Sequence, residues 1–426
     1  MNRIPKRTLV FGVLCLLFIF ALFLRASTAI IVEDLMADLA VPAASLGLMS
    51  AGFFYAYAAA QIPVGMLSDR IGVRFTVFCF GLLGVAGTLL FAFSQSIGMA
   101  TWARIITGAG TAGIWIPALK YLSTEYRPEE FATLTSIINA IGCLGLLFST
   151  YPMAVMVELI GWRYSFVLPG LILLLFTILA WFLMKPRPEQ EIKAGKEITD
   201  DPKVHQEAAV TASGIAGKQF WKYSFFWPFA IWAFLVYGVL FSFTGLWGAS
   251  YLQDSFNISR ETAGTHLMFI SIGMICGGLF WGILSDRYLR ARRPVLLIGT
   301  AGMLLTWIAL ASFTNYPGPI LTSLLYFAIG IFSITFLINI GCAKELFPME
   351  IAGTAMGTVN AGMFIGVAVF QGVSGYLLDY FMESRSAFLA FRAIFILYIV
   401  SIAIALLMVF LMPESFPGRI KKPASP

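Results

Sequence analysis

Two arginines stand inside apolar runs, where a charge is expensive. Arg25 lies about two-thirds along the first run and Arg104 about two turns into the fourth. A charge at the bilayer centre costs roughly 2.5–3.5 kcal/mol on insertion scales, so each needs a reason to be there. A guanidinium stays charged at any working pH, and its planar fork matches a carboxylate or a phosphate. Arg25 is therefore read as a clamp for the anionic group of a ligand. The alternative is a structural arginine bonded to backbone carbonyls of a broken helix, and Arg104 carries the same two readings. Lys120, at the inner end of the fourth run, either snorkels to the headgroups or lines a pathway.

Other chemistry is poorly provided for. The five cysteines (Cys15, Cys79, Cys143, Cys276, Cys342) lie far apart in apolar runs, and the two histidines are His205 and His266. Neither a disulfide framework, a metal cluster nor a histidine catalyst follows from that pattern, so no metal and no cofactor is expected. A membrane enzyme would need a nucleophile, a metal cluster or an acid pair at membrane depth, and the sequence shows none.

The elements that position the arginines are membrane helices. With 59% apolar and 12% charged residues and a mean hydropathy of +0.86, the chain is not an ordinary soluble domain. Runs of about 20 apolar residues recur, whereas the alternating ten-residue segments of a sheet barrel do not. The fold class is all-α, with twelve spans. They are read at 8–32, 45–67, 73–94, 98–121, 131–157 and 164–184, then 225–251, 264–284, 294–314, 317–343, 351–378 and 391–412. The basic start, Arg3-Lys6-Arg7, imitates a signal peptide, but its apolar run continues to Val32 and further spans follow at once. Domain boundaries follow: an N-terminal bundle over 1–184, a polar linker over 185–224, a C-terminal bundle over 225–412 and a tail over 413–426.

The unit is duplicated. Gly65-Met66-Leu67-Ser68-Asp69-Arg70 recurs as Gly282-Ile283-Leu284-Ser285-Asp286-Arg287, 217 residues later. Glu125, Pro128, Glu130 and Ala132 recur as Glu345, Pro348, Glu350 and Ala352, shifted by 220. Of the 28 lysines and arginines, 22 fall in segments on one side of this layout and four (Arg163, Arg260, Arg385, Arg392) on the other. That asymmetry places both termini in the cytoplasm, and it explains the net charge of +6 without invoking a nucleic acid.

At Gly65-x-x-x-Asp69-Arg70-x-Gly72-x-Arg74 the chain resembles a major facilitator superfamily transporter of bacterial type, and Arg104-x-x-x-Gly108-x-Gly110 fits the same family. The resemblance implies two pseudo-symmetric six-helix bundles with nested repeats in an inner membrane, working by alternating access as a monomer. It implies a cavity lined by spans 1, 4, 7 and 10. It also implies gating loops at Gly65, Asp69, Arg70, Arg74 and Glu125, with a second set at Asp286, Arg287 and Glu345. Gly65 is expected at a close helix crossing, Asp69 facing the start of span 11, and Arg70 and Arg74 seeking acid partners, Glu125 the nearby candidate. In the second copy Leu289 replaces the second glycine and the basic residues move to Arg290, Arg292 and Arg293.

Besides Arg25 and Arg104, the substrate-binding candidates are Tyr55, Trp115, Asn139, Tyr237, Thr244 and Asn339. Tyr237, Phe241 and Thr244 share one face of span 7, and Phe332, Thr335 and Asn339 one face of span 10. Each of these residue types also serves ordinary packing or interhelical bonding. The implied function is transport of a small organic anion, such as a carboxylate-bearing metabolite. Amino-acid uptake is the alternative, and drug or metabolite export a more distant one, because Gly142-x-x-Gly145 with Pro152 does not reproduce an exporter signature. The weaker likeness is to organic-anion symporters, whose acidic residue seven places after the span-4 arginine is replaced by Thr111. A sensor on the same fold would bring an added cytoplasmic domain, for which the tail is too short. No Walker lysine motif is present, so ATP is not the driver. No carboxylate lies deep in a span, so uniport, exchange or entry of the substrate with its own proton is expected. If a proton is the coupling ion, Glu33, Asp34 and His266 are the first candidates.

Overall fold

Apolar runs in lipid must satisfy every backbone group internally, and the helix does so within one segment. The structure, a computed structural model, describes residues 6–185, 223, 225–346, 349–382 and 387–416, and every regular element among them is helical. The first half holds α1 (Lys6–Ala26), α2 (Val32–Leu39), α3 (Ala43–Arg70), α4 (Val73–Ala92), α5 (Ile97–Glu125), α6 (Pro128–Phe148) and α7 (Tyr151–Leu183). The second holds α8 (Phe226–Ser242), α9 (Gly248–Phe256), α10 (Arg260–Ile283), α11 (Arg293–Ser312), α12 (Pro319–Ser333), α13 (Phe336–Leu346), α14 (Met349–Met382) and α15 (Ala387–Leu411). The linker expected over 185–224 lies outside the described residues apart from Lys185 and Tyr223.

Among the described residues ten helical segments are long and apolar enough to cross a membrane, against the twelve spans read from sequence. The difference falls at spans 4 and 5. Span 4 is the 29-residue α5, rich in glycine and threonine and carrying Arg104 and Lys120. Span 5 is not one helix. α6 ends at Phe148, and α7 restarts at Tyr151 with Pro152 in its first turn, where a missing N–H costs nothing. Gly161, at φ +76°, then turns the chain. The 33 residues of α7 are thus a short helix that completes span 5 and a longer one that forms span 6.

Three further spans expected as continuous are broken. Span 1 passes from α1 through a 3-10 turn, Ser27–Ile30, into α2. Span 7 passes from α8 through a π turn, Phe243–Trp247, into α9. Span 10 is interrupted between Ser333 and Phe336. Irregular backbone at membrane depth is tolerated only where protein covers it, and Ser27, Thr28, Phe243 and Thr335 are all buried.

The chain forms two compact units. One comprises Met1–Lys196, Thr244–Met268 and Gln371–Tyr376; the other comprises Glu197–Phe243, Phe269–Phe370 and Leu377–Pro426. Small residues set the helix crossings inside each, as expected where lipid supplies no hydrophobic drive between helices. In the first unit a Cβ on Gly108 of α5 would meet the Phe53 carbonyl oxygen of α3 at 2.2 Å, and one on Gly145 of α6 would meet the Ile19 oxygen of α1 at 2.0 Å. In the second, a Cβ on Gly330 of α12 would meet the Ile270 oxygen of α10 at 2.0 Å, and one on Gly366 of α14 the Phe234 oxygen of α8 at 2.3 Å. Phe53 and Ile270 stand 217 residues apart, Gly108 and Gly330 222, Ile19 and Phe234 215, and Gly145 and Gly366 221. The same two crossings are built twice, at the period of the sequence repeat.

Candidate functional site

Arg25 occupies the last turn of α1, immediately before the 3-10 turn, and is only 5% exposed. Its guanidinium lies 4.9 Å from the ring centre of Tyr57, on α3. Tyr57 stacks in parallel with Phe53 one turn earlier, ring centres 6.3 Å apart and planes at 16°. Phe53 in turn carries Arg104 of α5, at 4.4 Å. The two buried arginines are therefore the ends of a stack, Arg25–Tyr57–Phe53–Arg104, whose middle is an i, i+4 pair on one helix.

Arg104 also donates through Nη1 to the Leu24 carbonyl at 2.8 Å, a carbonyl in the last turn of α1. That contact sets a cation at the negative end of a helix that stops short. Its Nε and Nη2 are buried without a hydrogen-bond partner among the described residues. Past the break, Thr28 donates to the Gly245 carbonyl at 3.0 Å, in the π turn of span 7. The irregular turns of spans 1 and 7 thus meet within the first unit.

Five residues on from Thr28, at Glu33 in α2, begins a charged cluster. Arg260, opening α10, pairs with Asp34 at 2.8 Å and reaches Glu158 at 3.6 Å. Asp38 accepts from the Trp162 indole at 2.8 Å and stands 3.5 Å from Arg163. Burial lifts the carboxyls of Glu33 and Asp34 above the ordinary carboxylate range, against the opposing pull of Arg260. His266 is buried in α10, two turns inward from Arg260 rather than opening the helix.

The gating residues come together differently from expectation. Asp69 pairs with Lys120, which also donates to the Ser68 carbonyl at 3.0 Å. Arg74 turns to α7, donating to the Trp181 carbonyl at 2.9 Å with its guanidinium 4.0 Å over the Trp181 ring, instead of seeking Glu125. A Cβ on Gly65 would meet nothing within 4 Å among the described residues; the tight crossings lie at Gly108 and Gly145. The span-11 start that Asp69 was expected to face has its first side chains outside the described residues.

In the second unit the partner of Asp286 is Arg292, not the adjacent Arg287. Arg292 also binds Glu345, through Nη2 at 2.8 Å, and the Ser285 hydroxyl. Burial works against its charge, but hydrogen bonds to Glu345 and Asp286 outweigh that and hold its pKa above the ordinary value. Glu414 joins from the tail, accepting the backbone N–H of Arg292 at 2.7 Å and of Arg293 at 3.2 Å, and so caps α11. The second echo of the repeat has a local meaning in the first unit: Glu130 accepts the Arg127 N–H at 3.1 Å where α6 begins.

The remaining candidates are scattered. Trp115 stacks on Phe18 at 4.7 Å. Asn139 is half-buried on α6, Thr244 begins the span-7 segment of the first unit, and Tyr55 is 47% exposed, outside the arginine stack. Tyr237 lies in the second unit within an aromatic cluster of Phe241, Phe336 and Phe364. Asn339 is in that unit too, fully buried, with neither amide atom hydrogen-bonded among the described residues. Sequence reasoning missed Phe53 and Tyr57. Their i, i+4 spacing was visible, but nothing in the chain said which face of span 2 turns toward spans 1 and 4.

Two buried guanidiniums against aromatic rings are an arrangement of fixed positive charge, suited to meeting an anion rather than to bond chemistry. A family model described as Major Facilitator Superfamily matches residues 13–254 and 234–426. The chain is 25% identical over 400 residues to the "Probable sulfoacetate transporter SauU" of Cupriavidus necator, covering 89% of each. It is 26% identical over 377 residues to the "D-galactonate transporter" of Escherichia coli, covering 83% of this chain and 85% of that one. Among solved structures it resembles, with a TM-score of 0.76, 17% identity and full coverage of both chains, a bacterial homologue of the human lysosomal transporter Spinster in an inward-facing, unoccupied conformation. That last likeness speaks to the fold alone.

Proposed function

The chain belongs to the Major Facilitator Superfamily, a multi-pass membrane transporter and not an enzyme, and on that premise we propose that it carries a small organic anion bearing a carboxylate or sulfonate. The observation that carries the reading is Arg25, a guanidinium buried where span 1 unwinds and faced by a tyrosine ring. A fixed cation there repays its burial when an anion docks against its fork. The relatives named for sulfoacetate and D-galactonate transport, both organic anions, support the same class.

The cycle is alternating access in an inner membrane, by a monomer with both termini cytoplasmic. Arg25 holds the anionic group. Within the same unit Thr244 recognises more of the molecule, while Trp115, Asn139 and Tyr55 shape its path; Tyr237 and Asn339 are the candidates of the second unit. The Asp69–Lys120 and Asp286–Arg292–Glu345 contacts latch the cytoplasmic ends, and Arg260 with Asp34 and Glu158 the outer end. With the deep charges all cationic, the substrate enters by uniport, by exchange, or with its own proton.

The test is a thermal-shift and binding panel of sulfonates, carboxylates and phosphate esters on purified protein, since a true ligand stabilises the folded state by mass action. Arg25→Ala should abolish binding, and Arg25→Lys should recover little of it because the fork is lost. Full binding by folded Arg25→Ala would sink the clamp. Topology is tested separately: a reporter fused after residue 200 should report cytoplasm, and one near 255–260 the outside.

A further inference from the structure

Resting on the reading of Arg25 as the anion clamp, we infer that Arg104, Phe53 and Tyr57 are its positioning residues: they aim the Arg25 guanidinium and do not themselves hold the anion. Arg104 grips the carbonyl of Leu24, the residue before Arg25, at 2.8 Å. Tyr57 covers one face of the Arg25 guanidinium at 4.9 Å, and Phe53 links the two ends. One support fixes the backbone from which Arg25 springs and the other fixes the plane of its fork. A bidentate contact depends on both.

The duplicated half supplies an internal control. The α3–α5 crossing at Phe53 and Gly108 is repeated between α10 and α12 at Ile270 and Gly330. At the same offsets, Tyr57 corresponds to Met274, Arg104 to Tyr326 and Arg25 to Leu240. All of these counterparts are buried and none is charged. The crossing therefore forms without the arginines or the stacked rings, so packing is not what requires them. What distinguishes the first half is the cation that the stack presents.

The experiment is transport in proteoliposomes and ligand-induced thermal shift, with sulfoacetate and D-galactonate as first probes and the full anion panel behind them. Tyr57→Phe keeps the ring and should match the wild type. Tyr57→Leu should raise the apparent KM about tenfold with Vmax within about twofold, at an unchanged ligand-free melting temperature. Arg104→Gln should do the same or more. If Arg104→Gln does not fold, the Tyr57 pair still decides. Normal KM in Tyr57→Leu and Arg104→Gln, with binding lost in Arg25→Ala, would overturn the positioning role and leave the clamp standing. Equal losses in Tyr57→Phe and Tyr57→Leu would also overturn it, because they would assign the phenol oxygen to the ligand. No response of the wild type to any anion of the panel would overturn the clamp, and this inference with it.

Discussion

Gly108→Ala places one methyl group at a close backbone approach of α5 to α3 in the first unit. Its Cβ would stand 2.2 Å from the Phe53 carbonyl oxygen and 2.8 and 2.9 Å from the Phe53 carbonyl carbon and Cα, where ordinary contact begins at 3.4 Å. These are backbone atoms, so no side chain can swing aside. Nor can α5 recoil, because on its other flank a Cβ at Gly110 would lie 2.2 Å from the Gly84 nitrogen of α4. The α3 helix must therefore give way by roughly 1 Å, an overpacking that costs about 1–3 kcal/mol. Alanine's better helix propensity returns up to about 1 kcal/mol. The net loss is about 1–2 kcal/mol, a fall in melting temperature of about 2–6 °C. The displaced residues, Phe53 and Tyr57, underlie both arginines, so anion affinity should fall as well. The assay is thermal unfolding of detergent-purified protein beside Gly98→Ala, a change in the same helix whose Cβ would meet nothing within 4 Å. Equal melting of the two variants would refute the claim that backbone contact at Gly108 sets this crossing.

Glu414→Ala removes the carboxylate that caps α11 and should cost about 0.5–2 kcal/mol, read as a lower melting temperature, with Glu414→Gln recovering part. The cluster around Arg260 predicts a pH dependence. Glu33, facing Asp34, Asp254 and Arg260, and Asp34, facing Arg260 and Asp38, have pKa values raised in the folded state, chiefly by burial. A raised value means the folded protein holds those protons more tightly than the unfolded chain. Their stabilisation is thus complete below the ordinary carboxylate pKa and is lost as pH rises through the raised one. Glu33→Gln should flatten that part of the melting-temperature profile and stabilise the protein near neutral pH. An identical profile in the variant would show that Glu33 does not titrate there.

The helices, the membrane, the duplication and the two deep arginines were all legible in the sequence. Each is a property of composition or of a period along the chain: hydropathy marks a span, and Gly65–Arg70 with Gly282–Arg287 marks a repeat. Gly161 and Pro152 could be read as punctuation, but not that α6 stops at Phe148 and restarts at Tyr151, because a bend at membrane depth depends on which neighbours cover it. Only the tertiary structure decided partners. Arg74 went to the Trp181 carbonyl and not to Glu125, Asp286 to Arg292 and not to Arg287, and Lys120 to Asp69. It also chose Tyr57 over Tyr55, since residues two apart on a helix face different neighbours and the rotation of α3 is set by glycine contacts on α5. Hydropathy reports the depth of a residue along the membrane normal, whereas pairing depends on rotation about the helix axis. An apolar surround supplies almost no sequence signal for that rotation, so packing at Gly108 and Gly145 decides it.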